Sequence, residues 1–179
     1  MDLNKKLFVA VSRVDRSSAA SLIATGANIN GKTELGEGVW TFVVPNGIRA
    51  VDLALEFGAN PNFLDGGSLS PLYWAVQADA PDIACRIIEA GGRMDAGLNA
   101  NKFNVIHEAA QAGHEAVLSV LVQRASLELL KAENVMERTP IDEANAAGHI
   151  NCSRILALEI ARRENAKNGN QWHDKTSPN

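Results

Sequence analysis

The chain has 179 residues, 46% of them apolar and 21% charged, which is material for one domain or one short repeat array. A formal net charge of -4 argues against a nucleic-acid partner, because phosphate binding needs a basic footprint. The two cysteines, Cys85 and Cys152, are fewer than a secreted disulfide framework usually has; both fall in helical patterns and read as buried free thiols of a reducing compartment.

At the N-terminus, Lys5 and Lys6 precede an apolar run from Leu7 to Val11 that Arg13 and Asp15 close. The run is too brief for a signal-peptide core. Elsewhere no segment approaches the ~20 apolar residues of a membrane span. A cytoplasmic protein, without membrane contact, is the expectation.

A loop signature then recurs. It reads Thr25-Gly26-Ala27-Asn28-Ile29-Asn30, Phe57-Gly58-Ala59-Asn60-Pro61-Asn62 and Ala90-Gly91-Gly92-Arg93-Met94-Asp95. The glycines lie 32 and 33 residues apart, and a worn copy, Arg124-Ala125-Ser126, follows at 34. Apolar residues spaced for one helix face precede each copy after the first: Val51, Leu53 and Leu55; Ile83, Ile87 and Ile88; Val117, Val120 and Leu121. The glycine then ends the helix at a left-handed cap. A second marker opens the units: Ser70-Pro71-Leu72-Tyr73-Trp74-Ala75, Asn104-Val105-Ile106-His107-Glu108-Ala109-Ala110 and Thr139-Pro140-Ile141-Asp142-Glu143-Ala144. A hydroxyl before proline both caps and starts a helix.

Residues 39–47 break the pattern. They are β-branched, contain Pro45 and allow either a shortened helix or an extended stretch; the neighbouring units favour helix. Beyond Ile160 the chain turns polar and reads as a frayed tail, 161–179, with Trp172 an exposed aromatic.

These residues resemble the ankyrin repeat, with its TPLH-x-A-A helix, its G-H turn (here Ala112-Gly113-His114 and Ala147-Gly148-His149), a second helix and a G-A-x-x-N loop. The resemblance implies an all-α solenoid of about five stacked helix-turn-helix units, at about 3–30, 31–62, 65–95, 99–128 and 134–160. Unit one retains only its second-helix and loop signals. Together the terminal and second units are the divergent ones, and Arg154 and Glu159 give the last helix a polar, water-facing side.

What the family implies is a non-catalytic module that holds one protein partner on a concave face of first helices and loop tips. Thr33, Glu34, Glu37 and Trp40 of unit two occupy such positions, as do Leu69, Tyr73 and Gln77 of unit three. Unit four contributes Asn101, Phe103 and Gln111, and unit five Val135, Met136, Arg138 and Asn145. Leu69 and Val135 fit a patch or packing between tips equally; Phe103 and Met136 favour the patch. His107, His114 and His149 fall at positions that tie neighbouring units through loop backbone in the family, so no cofactor or metal is expected. There is no nucleophile elbow, Cys-x-x-Cys pair or phosphate loop. An inhibitor or immunity protein against a cognate toxin is one expectation, and a scaffold that stabilises a partner enzyme without inhibiting it is the alternative. The free chain is expected to be a monomer.

Overall fold

The computed structural model describes residues 2–97 and 103–173. These residues are helical or in turns and loops, with no strand among them. In chain order the helices are α1 (Leu3–Ser12), α2 (Arg16–Ala24), α3 (Val39–Val43), α4 (Ile48–Glu56), α5 (Pro71–Gln77), α6 (Pro81–Glu89), α7 (Val105–Ala112), α8 (Glu115–Arg124), α9 (Leu127–Leu130), α10 (Pro140–Ala146) and α11 (Ile150–His173). A 3-10 turn, Val44–Asn46, follows α3.

Five packed pairs result: α1 with α2, α3 with α4, α5 with α6, α7 with α8, and α10 with α11. Each leading helix also packs on the next leading helix, in the order α1, α3, α5, α7, α10. The trailing helices α4, α6, α8 and α11 pack in a second row. A pair of short helices leaves apolar surface uncovered, and packing on neighbouring pairs covers it. Leu72, Val76, Ile87, Ile106, Leu118, Leu121 and Leu156 are fully buried as a result. Truncating Leu72 or Leu121 to Ala at such sites costs about 2–5 kcal/mol.

Local chemistry places the ends. Ser70 Oγ accepts from the Tyr73 amide at 3.2 Å, and Thr139 forms a capping box with Asp142. The turn inside every helix pair holds a residue of positive φ: Val14 (φ 59), Gly47 (φ 87), Asp79 (φ 43), Gly113 (φ 77) and Gly148 (φ 81). Glycine adopts this region without cost, whereas Val14 and Asp79 hold it against their own preference.

Several expectations change. Unit one has a full leading helix, α1, started by Asp2, whose side chain accepts from the Asn4 amide at 3.0 Å. Leu7, Phe8 and Val11 bury one face of it. In unit two the helical alternative holds, cut to five residues by Pro45. The worn copy at Ala125 is extended (φ -67, ψ 152), and the extra helix α9 follows it, so unit four runs past residue 128 to Leu130. The polar stretch after Ile160 is not a frayed tail up to His173, because α11 continues through it. Cys152 is buried but Cys85 is only half-buried, its sulfur 3.1 Å from Arg124 Nη2; both thiols are free.

Candidate functional site

The loop tips that join the units share one clasp. Asp65 Oδ1 accepts from the Gly67 and Leu69 amides, both at 2.9 Å, and Oδ2 accepts from Trp74 Nε1 at 3.1 Å. Asn134 Oδ1 accepts from the Met136 amide at 2.8 Å and the Arg138 amide at 3.2 Å. Thr33 Oγ1 does the same for Leu35 and Glu37 at 3.3 and 3.2 Å. In each loop the clasp residue's amide also donates to the carbonyl four residues on, at 2.9 Å for Thr33, 3.2 Å for Asp65 and 3.0 Å for Asn134. Sequence reading missed Asp65 and Asn134. The signal available was a short polar side chain five residues before each Ser-Pro or Thr-Pro start.

Five of the expected partner-facing residues, Val135 among them, come together. Phe103, Gln111, Val135, Met136 and Arg138 line one cleft of about 250 Å³ between α7 and α10, with Glu108, Asn134 and Glu143. Val135 and Met136 are 51% and 64% exposed at its lip. Phe103 lies against the His107 ring, centroids 5.1 Å apart. His107 itself is fully buried; its Nε2 lies 3.1 Å from the Arg138 carbonyl, which joins α7 to the next tip. A carbonyl only accepts, so Nε2 carries the proton. Burial pushes the imidazole below the ordinary histidine range.

The floor of the cleft is acidic. Glu143 is 3% exposed; its Oε1 accepts from Asn134 Nδ2 at 2.8 Å and its Oε2 from Gln111 Nε2 at 3.3 Å. One unit earlier Gln77 Nε2 donates to Glu108 Oε1 at 2.5 Å. The two Gln–Glu pairs are the same contact repeated, so Gln77 and Gln111 brace neighbouring units as well as lining the face. Tyr73 stands edge-on to Trp74 at 5.8 Å, its hydroxyl pKa raised by burial and by the charges of Glu108 and Asp65.

The remaining expected residues spread along the same row. Glu34 and Asn145 are exposed, Leu69 is half-buried, and Glu37 accepts from Thr33 Oγ1 at 3.0 Å. Thr33 is 6% exposed and serves the loop. Asn101 lies outside the described residues. Trp40 requires correction. It is 2% exposed and donates from Nε1 to the Asn60 carbonyl at 3.0 Å, so it is core and brace, not contact surface.

Two histidines depart from the expected backbone ties. His114 Nδ1 faces Asp79 Oδ1 at 3.6 Å. The His149 ring lies over Gly113, where an added Cβ would come within 2.5 Å of Nδ1. Both link one helix pair to its neighbour. Among the described residues no group of three or more His, Cys, Asp or Glu is placed to hold a metal ion, and no helix is long and apolar enough to cross a membrane. Compared with known families and curated proteins, the chain matches no family model and no curated protein.

Proposed function

We propose that this chain is a small ankyrin-repeat solenoid of about five units that holds one protein partner on the face built from its leading helices and loop tips. It acts without catalysis, in the cytoplasm, as an inhibitor or immunity protein acts on a cognate toxin. The observation that carries this reading is the cleft between α7 and α10. Residues from three separate stretches, Phe103, Gln111, and Met136 with Arg138, meet there and leave apolar groups at a polar rim. Aromatic, Met and Arg side chains in that setting are typical anchors of protein interfaces. The repeating positive-φ turns, loop clasps and Gln–Glu pairs support the repeat assignment. The structural duties of His107, His114 and His149 support the non-catalytic part, since each spans two units.

Affinity purification of the full chain with mass spectrometry tests the reading. One stoichiometric protein is expected, captured by the native chain and lost with Phe103→Asp although the thermal melt is unchanged. Undiminished capture by Phe103→Asp overturns the assigned face. Inhibition of the captured protein's activity supports the blocking role. Activity kept or raised in the complex replaces it with that of a scaffold.

A further inference from the structure

We infer that the cleft between α7 and α10 receives one long cationic side chain, arginine or lysine, projected by the partner; the inference rests on the partner-binding face proposed above. The size of the cleft fits a single side chain. At about 250 Å³ it falls below the roughly 300–1,000 Å³ of small-molecule sites. Its walls suit the alkyl stem, because Phe103, Val135 and Met136 line it and the latter two are exposed in the free chain. An aromatic face also attracts a cation.

The floor suits the head group. Glu143 and Glu108 both line the cleft, and among the described residues neither has a cationic partner within ion-pair distance. Each receives only neutral amides, from Asn134 and Gln111 at Glu143 and from Gln77 at Glu108. Glu143, taken out of water and met by neutral donors alone, lacks compensation, whereas half-exposed Glu108 keeps part of its hydration. A guanidinium or ammonium supplies that compensation through charge-assisted hydrogen bonds. Among the described lining residues Arg138 is the one cation. Hydrogen bonds from Thr139, with the charge of Arg138 adding to them, hold the Asp142 carboxyl below the usual carboxylate range in the first turn of α10. Two carboxylates against one guanidinium leave the lining net negative, so an acidic side chain is repelled.

The test titrates the full chain with three capped tripeptides, glycine on both sides of arginine, of citrulline or of glutamate, followed by NMR of amides and methionine methyls. The arginine peptide is expected to give saturable shifts at Met136 and around Phe103, with a dissociation constant on the order of 1 mM. The neutral citrulline peptide is expected to bind about tenfold more weakly or worse, and added salt to weaken the arginine peptide alone. Glu108→Gln, a half-exposed position, and Met136→Ser, an exposed one, are each expected to reduce arginine binding several-fold with the melt intact. Equal binding of the citrulline or glutamate peptide overturns the inference, as does the absence of saturable shifts at the cleft. If the arginine peptide fails while Phe103→Asp still abolishes partner capture, the cation is wrong and the face stands. If the peptide binds the cleft and Phe103→Asp leaves capture untouched, the partner-binding reading beneath the inference falls.

Discussion

The amide of Asn60 donates to Asn30 Oδ1 at 2.6 Å, and the Asn30 side chain in turn donates to the Gly58 carbonyl at 2.8 Å. One period later Asn62 repeats the act, accepting from the Arg93 amide at 2.8 Å and donating to the Gly91 carbonyl at 2.9 Å. Each asparagine therefore stitches its own loop to the next with two bonds. Asn62→Ala removes both and is expected to cost about 1–2 kcal/mol in a urea melt. Asn145→Ala, at an exposed position, is expected to stay within about 0.5 kcal/mol of the native chain. Equal midpoints for the two variants would remove the ladder as a stabilising element.

Trp40 is buried in the core and reaches across to the Asn60 carbonyl. Trp40→Ala is expected to cost about 3–5 kcal/mol, through the cavity it leaves. Trp40→Phe keeps most of the volume and loses the 3.0 Å bond to the Asn60 carbonyl, for about 1–3 kcal/mol. Below its melting temperature the Phe variant should capture partner as the native chain does. A specific loss of capture with a native melt would return Trp40 to the contact surface.

The helix starts and stops were legible because their markers are local. A Ser-Pro or Thr-Pro start needs only its own hydroxyl, and Gly58 (φ 80) needs only its missing Cβ. What stayed hidden depends on contacts made far away. The positive-φ turns at Val14 and Asp79 carry no glycine to announce them, and the clasp residue is Thr33, Asp65 or Asn134 by turns. Trp40 sits in a β-branched run whose sequence does not say which side faces the core. Of the candidate cleft, Phe103, Gln111, Val135, Met136 and Arg138 were legible from the phase together with the family resemblance, which says that leading helices and loop tips share one face. The buried Glu143 was not, since adjacent acidic residues on α10 look alike in sequence and only Asn134 and Gln111 distinguish them.

Burial of His107 gives the fold an acid-sensitive point. The folded chain holds this imidazole below the ordinary value, whereas the unfolded chain protonates it near pH ~6.5. The unfolded state therefore binds more protons in that window. Its contribution to stability is complete above about pH 6.5 and is lost as the pH falls from there through the lowered folded value. His107→Gln keeps a donor toward the Arg138 carbonyl but does not titrate. Urea midpoints measured from pH 8 to 5 should fall less steeply for the variant, and parallel curves would show that His107 is not the group responsible.

The middle of α11 covers the C-terminal end of α8. Arg163 donates from Nη2 to the Val122 carbonyl at 2.5 Å and from Nη1 to the Ala125 carbonyl, occupying acceptors that the end of α8 leaves open. Glu159 aims that guanidinium, its Oε1 2.6 Å from Arg163 Nε. The Arg162 guanidinium, with Arg163 beside it, holds the Glu159 carboxyl down from the usual 4.5 to about 2. Stability from this group is thus complete above about pH 4.5 and is lost as the pH falls toward 2. Arg163→Ala is expected to cost about 1.5–3 kcal/mol at neutral pH, and a chain ending at Ile160 at least as much. Glu159→Gln should flatten the part of the acid unfolding curve below pH 4.5. A chain cut at Ile160 that melts like the native one would return residues 161–173 to the status of an idle extension.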